Sequence, residues 1–349
     1  MTFIPCLVRS STPAGERRFA LGHPLVDSYL EFVAGRARPN TLRAVAFDLK
    51  TFFTVVDKEP GDVAAADVFD FLAHQRGDRT VIRISDRESG LSARTIARRL
   101  SSVAGFYAYL IARGDTGVTT NPVPRGLSTR RRGGRARTVP LVHVPRTLPK
   151  ILDPAEVTAL LSVLRTHRDR AMVLAMLLGG LRRCEVLGLR LADVRVADRS
   201  LFVTEGKGGH QRVVPVTNAF FVAVGDYLRD ERPATSTHRV FVVLKGPRRG
   251  QPLSAEGVDE ILAGARRRAR LEHGTCHQLR HTCLTRLREA GMSLEAVQAQ
   301  AGHRSIESTR IYLHLTNDWL AAEYRRAAGL IDANHTAVAE MLAAQEVLG

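Results

Sequence analysis

Residues 125–150, RGLSTRRRGGRARTVPLVHVPRTLPK, hold seven arginines and one lysine with no acid among them. A stretch this rich in proline, glycine and arginine reads as part of a basic linker, over 121–150, between two domains that each build a core. At 349 residues the chain is long enough for both.

Ahead of this segment, apolar residues recur at helical spacing in LVDSYLEFV (25–33), TLRAVAFDLKTFFTVV (41–56), ADVFDFLAHQ (66–75) and SARTIARRLSSVAGFYAYLIARG (92–114). Strand-like alternation is absent, so the first region reads as a small all-α bundle over 21–120 behind a polar leader at 1–20. Pro39-Asn40-Thr41, Asp62 or Asp67, and Ser92 mark helix starts, and Gly114 marks a stop.

The second region, 151–330, opens at Asp153-Pro154-Ala155-Glu156, a helix cap with proline in the first turn and an acid near the positive end of the dipole. Helical patterns continue through VTALLSVL, DRAMVLAMLLGGL and LRRCEVLGL. The rhythm then changes to period two. SLFVTEG (200–206) and QRVVPVT (211–217) read as strands joined by Gly206-Lys207-Gly208-Gly209, and RVFVVL (239–244) as a third. From Ser254 the pattern is helical again, ending in LIDANHTAVAEMLAAQEVLG. The fold class is mainly α with a small antiparallel β-sheet.

Lysine and arginine number 51 against 35 acids, a formal charge of +16. A surplus of this size asks for a polyanionic partner, and nucleic acid comes first. An anionic membrane is the other option, but the longest apolar run, AMVLAMLLGGL, has the length of a buried core helix and no charged-then-apolar leader begins the chain. Four scattered cysteines point away from a disulfide framework and to a reducing compartment, so a cytoplasmic protein is expected. The basic segment, with Arg130, Arg131, Arg132, Arg135 and Arg137, reads as a strap across phosphates. Arg43, Lys50, Arg94, Arg98 and Arg99 stand on basic faces of predicted helices and are candidate DNA contacts, although any of them is equally a solvated charge.

Six residues draw attention together. Arg182 follows Gly-Gly-Leu; Lys207 sits at the tip of a glycine hairpin, where backbone can approach a ligand closely; His277 and Arg280 stand one helical turn apart; His303 follows Ala-Gly; and Tyr312 lies in AGHRSIESTRIYLHL. Singly, each has a bland structural reading. In this order, and in the motifs GGLRRCEVLGL, EGKGGHQRVVPV, CHQLRHTC and AGHRSIESTRIYLHL, the set closely resembles the tyrosine recombinase (phage integrase) family. Cys184 and Ala301 depart from the commoner residues of those motifs without touching one of the six.

The resemblance implies a two-domain architecture, a helical core-binding domain followed by a mixed α/β catalytic domain. It implies a site-specific recombinase that cleaves and rejoins DNA through a 3′-phosphotyrosine link, in integration, excision, transposition or dimer resolution. Tyr312 would be the nucleophile, His277 would assist proton transfer, Arg182 and Arg280 would clamp the nonbridging oxygens, His303 would add a hydrogen bond and Lys207 would protonate the leaving 5′ oxygen. Glu185 reads as an orienting partner for the basic groups. With so much fixed charge, no metal or other cofactor is expected. Implied partners are double-stranded DNA, a second protomer at each site and a tetrameric synapse, with room for a second recombinase or accessory protein, and a C-terminal helix at 331–349 docking on a neighbouring protomer.

Two rival readings stand beside this one. His277 and His281 at i, i+4 suggest a metal hydrolase, but HQLRH lacks the glutamate of the zinc protease motif and places Arg280 beside the metal. A DNA-binding protein of the same fold that does not cleave, or cleaves only with a partner, would need the basic surface and not the set of six.

Overall fold

The structure, a computed structural model, describes residues 3–13, 15, 17–77, 90–129, 137–145, 150–204 and 211–303. The chain divides into two compact units, Met1–Arg146 and Thr147–Gly349.

The first unit begins with strands β1 (Val8–Ser11) and β2 (Arg17–Ala20), paired antiparallel, followed by helices α1 (Pro24–Arg36), α2 (Pro39–Val56), α3 (Ala65–Gly77) and α4 (Ala93–Arg113). Residues 1–20, read as a polar leader, therefore contribute structure. The hairpin escapes a pattern search because all four β1 residues are exposed, while Phe19 of β2, with Phe3 and Leu21 beside it, enters the core. There they join Phe52, Phe53, Phe71 and Phe106, which are fully buried and in edge-to-face contact as the ring quadrupole favours. Local chemistry sets the helix ends. Ser92 Oγ caps α4, Gly114 ends it in the left-handed conformation, and Asp67 accepts the N–H of Ala64 at the start of α3. Helix α2 starts at Pro39 itself, where the missing N–H costs nothing. Within the basic segment, β3 (Leu127–Thr129) pairs with β4 (Arg137–Val139).

In the second unit, α5 (Pro154–Ser162) carries the expected capping box of Asp153 and Glu156. Helix α6 (His167–Gly179) is buried nearly all round and packs on α8 and α10, as a helix apolar on every face must. After α7 (Arg183–Gly188) come β5 (Val194–Arg195), β6 (Ser200–Val203) and β7 (Arg212–Pro215), an antiparallel sheet in the order β5-β6-β7. Helices α8 (Asn218–Asp226), α9 (Ala255–Ala269), α10 (Cys276–Glu289) and α11 (Leu294–Ala301) complete the described part. The expected third strand at 239–244 is not one. Arg239 bridges Arg190 and Val242 bridges Pro252, but Val240, Phe241 and Val242 are buried on both sides, and proline offers no N–H to extend a ladder. The C-terminal segment 331–349 lies outside the described residues.

Candidate active site

Helix ends of the second unit meet at one place. Helix α6 stops at Gly180, whose φ of 65° is left-handed, and a Cβ there would press on Leu284 Cδ2 at 3.1 Å. Glycine is the residue that allows this turn. Arg182 follows, immediately ahead of α7, and its N–H donates to Glu185 Oε2 at 2.8 Å while Nη1 donates to Oε1 at 2.7 Å. One carboxylate thus caps the helix and holds the guanidinium.

Glu185 has a second cation. Arg212 shares the inward face of β7 with Val214, and donates from Nη1 and Nη2 to the two Glu185 oxygens at 3.0 and 2.9 Å. Burial alone would push the Glu185 carboxyl up, but the Arg212 hydrogen bonds and charge, joined by Arg182, bring it down to about 2. The side chain is fully enclosed and ionised.

Arg280, on α10, is buried and held mainly by main-chain carbonyls. It donates to Gly180 O, to Ala301 O at 2.7 Å, and approaches His303 Nε2 at 3.1 Å, with Glu185 Oε2 3.8 Å away. Helix α11 ends at Gly302, φ 61°, whose carbonyl accepts from Arg182 Nη2 at 3.2 Å. A Cβ on Gly302 would lie 2.8 Å from Arg212 Nη1. The Gly-His step therefore lets the backbone pass between two arginines and present His303. Gln300 fastens the same turn to Gly179 O and Pro215 O.

His277 is exposed at the start of α10, with Nε2 2.8 Å from His281 Nε2, so one ring donates and the other accepts. Burial, and after it Arg280 and Arg182, hold His277 below the ordinary imidazole value. Burial, His277 and Arg280 take His281 down to about 4. Burial, Arg280 and Arg182 do the same to His303. His281 and His303 are therefore neutral at pH 7. Three guanidinium charges against the one Glu185 carboxylate leave a surplus of two, in a setting suited to a phosphodiester.

Of the residues singled out from sequence, Arg182, Arg280 and His303 meet here and His277 stands one turn from Arg280; Lys207 and Tyr312 lie outside the described residues. So do Arg130, Arg131, Arg132 and Arg135, while Arg137 lies in β4. In the first unit Arg43 and Arg94 are exposed and Lys50 is half-buried. Arg98 and Arg99 have a structural task as well. Arg98 Nη1 meets the buried Asp48 at 2.5 Å, and Arg99 lies 3.9 Å from the same carboxylate and donates to Gln75. Sequence reading gave no role to Arg212, Gln300 or Asp48. The signal for Arg212 was its period-two partnership with Val214 beside a carboxylate in need of cations. Asp48 was detectable as an acid inside the apolar stripe of α2.

Residues 150–318 match the model of the phage integrase family, and residues 26–114 match that of the phage integrase N-terminal SAM-like domain. The chain is 31% identical to tyrosine recombinase XerC of Pelobacter propionicus over 294 residues, covering 83% of this chain and 89% of that protein. It is 32% identical to XerC of Xylella fastidiosa, over 87% of this chain and 96% of that one. Two solved structures share the fold. The Tn1549 transposon integrase in complex with a circular intermediate DNA superposes with a TM-score of 0.63 at 19% identity, covering 86% and 99% of the two chains. The XerH site-specific recombinase bound to a palindromic difH substrate gives 0.63 at 20%, covering 85% and 83%.

Proposed function

The chain belongs to the phage integrase family, the tyrosine recombinases, and is a site-specific DNA recombinase; from that premise we propose that the cluster of Arg182, Arg280, His303 and His277 receives the scissile phosphate and that Tyr312 attacks it. The supporting observation is the shared anchoring of Arg182 and Arg280. Glu185 and the carbonyls of Gly180, Ala301 and Gly302 fix both guanidinium groups before any DNA arrives, which is the preorganisation that phosphoryl transfer draws on.

In this reading the Tyr312 hydroxyl attacks phosphorus, the bond to the 5′ oxygen breaks, and a 3′-phosphotyrosine link remains. The phenol has an ordinary pKa of ~10 and gives up its proton as it attacks. A neutral His277 is able to take that proton. Burial first, and then the neighbouring cations, disfavour the imidazolium in the free protein; the negative charge of a bound phosphate opposes the cations and favours it. Lys207 supplies the proton to the departing 5′ oxygen. Arg182 and Arg280 take the charge that grows on the nonbridging oxygens, and His303 hydrogen-bonds one of them. Because the ester is conserved in the link, a 5′ hydroxyl of another strand reverses the step with no nucleotide cofactor, and the fixed cations leave no step that requires a metal.

Its partner is DNA, on which it assembles as an oligomer. We assign two protomers to each crossover site and four to the synapse, with residues 331–349 docking on a neighbour, the basic segment with Arg130, Arg131, Arg132, Arg135 and Arg137 crossing phosphates, and the protein working at the nucleoid. No described helix is long and apolar enough to cross a membrane.

The test is covalent trapping. Wild type and Tyr312→Phe are incubated, with EDTA, on nicked duplexes drawn from DNA flanking the gene, and run on a denaturing gel beside a binding assay. Expected is a 3′-linked adduct with wild type and none with the variant at unchanged binding. An adduct that persists in Tyr312→Phe overturns the assignment of the nucleophile. Specific binding without adduct from any nicked substrate returns the partner-dependent or non-cleaving reading.

A further inference from the structure

Arg212 opens β7, and each nitrogen of its guanidinium engages the protein. Nη1 and Nη2 donate to the two oxygens of Glu185, and Nε donates to Gln300 O at 3.1 Å. Gln300 returns the tie, because its amide donates to Pro215 O on the same strand at 3.2 Å as well as to Gly179 O. Arg212 is thus fastened to α7 and to the end of α11 at once, a task for a planar fork with a third donor beside it. Its side chain keeps 12% exposure against 21% for Arg182, so of the two it is Arg182 that stands open to a ligand.

A guanidinium engaged on all sides does not hold a phosphate. What it brings to the site is charge. Glu185 fixes the orientation of Arg182, but a carboxylate 2.7 Å from one clamp arginine and 3.8 Å from the other also subtracts from the positive charge that a phosphate would meet. The Glu185 side chain is fully enclosed, so little water screens that subtraction. Arg212 and Glu185 together sum to zero. Arg182 and Arg280 then remain as two positive charges facing a phosphodiester on which more negative charge gathers as the attack proceeds.

We propose that Arg212 is a positioning residue of the reaction that acts through Glu185: it takes up the charge of the carboxylate, so that Glu185 orients Arg182 without neutralising it at the scissile phosphate. The assignment rests on the recombinase reading above, and it adds to that reading a cation that does not itself hold the phosphate.

The measurement compares two nicked duplexes under single-turnover conditions, one with the ordinary scissile phosphate and one in which a methyl group replaces a nonbridging oxygen. In both, the bond to Tyr312 forms and the bond to the 5′ oxygen breaks, but the methylphosphonate is neutral and has less need of the clamp's charge. Full-length wild type, Arg212→Gln and Glu185→Gln are compared, with near-ultraviolet circular dichroism to check folding. The readout is the ratio of the phosphodiester rate to the methylphosphonate rate. In Arg212→Gln this ratio is expected to fall roughly tenfold, less than the ~10²–10³ that follows loss of a donor touching the reacting group, because Arg212 acts at one remove. Glu185→Gln keeps an amide oxygen for Arg182 and removes the subtracted charge, so its ratio is expected to rise. It carries the test if Arg212→Gln does not fold. Rates that fall equally on both substrates in Arg212→Gln, or a ratio that does not rise in Glu185→Gln, show that the pair supports the fold alone and overturn the proposal, leaving the recombinase reading standing. No adduct from wild type on the ordinary nicked duplex sinks both.

Discussion

Glu185 in the second unit and Asp48 in the first are each buried beside arginines, and the two behave in opposite ways. Glu185 accepts from the Arg182 N–H, from Arg182 Nη1 and from both terminal nitrogens of Arg212, and falls to about 2. Asp48 is as deeply buried, but burial outweighs what Ser102, Arg98 and Arg99 return, and its carboxyl rises. The difference lies in geometry. Both Glu185 oxygens face guanidinium forks that are themselves largely enclosed, whereas Ser102 and Arg98 crowd one Asp48 oxygen and the Arg98 side chain is 49% exposed. The acid of the second unit holds its arginines in an enclosed cluster. In the first unit Arg98 keeps about half of its side chain in water, so its charge is shared with solvent.

The largest break in this contrast comes from Arg280. Arg280→Lys keeps the charge but cannot span Gly180 O, Ala301 O and His303 together, because an ammonium is a point charge on a flexible stem. Losing one preorganised donor costs ~10²–10³ in rate, so adduct formation should fall by about that factor while the affinity for DNA changes little. Rate constants for adduct formation under single-turnover conditions check it. A variant within tenfold of wild type would mean that the buried fork is structural only.

Next is Glu185→Gln. A carboxyl lowered from its ordinary 4.5 to about 2 contributes stability that is complete above the unfolded value and is lost as pH falls toward 2. The difference corresponds to about 3 kcal/mol at pH 7. Urea denaturation should show the variant destabilised by about that amount at neutral pH, with the gap to wild type narrowing between pH 4.5 and 2. A gap that does not depend on pH would show that shape, and not charge, holds the site.

Gly302→Ala is expected to cost about 1–3 kcal/mol, through a left-handed φ and a Cβ driven into Arg212, again by urea denaturation, with adduct formation slowed because His303 is displaced. Wild-type stability in this variant would show that the Arg212 side chain yields.

This glycine also shows how far sequence carried the reading. Ala-Gly-His was visible as a motif through resemblance, and Arg182, His277 and Arg280 with it, since such residues must recur in order. Why glycine stands at 302 was not visible, because the reason is Arg212, ninety residues earlier on another element. Long helices were legible from period 3.6, as in 92–114. The hairpin at 8–20 was not, because one short strand buries nothing and the other buries Phe19 alone. At 239–244 the same kind of failure ran in the other direction: a continuous apolar run looked like a strand when it is a doubly buried loop.

The smallest effect sharpens the contrast most. Asp48→Asn preserves shape and removes the charge that burial disfavours. A carboxyl whose folded value is raised favours the protonated form in the folded state, so its contribution is present at low pH and is lost as pH rises through that value. At pH 7 the variant should lie within about 1 kcal/mol of wild type, since the lost Arg98 pairing is half in solvent and weak. On acidification wild type should gain on Asp48→Asn while it loses its advantage over Glu185→Gln. Parallel urea series at neutral and acid pH read both signs in one experiment. If the two gaps move in the same direction, the two carboxylates are the same device, and the arginines of the first unit are held for a site as firmly as those of the second.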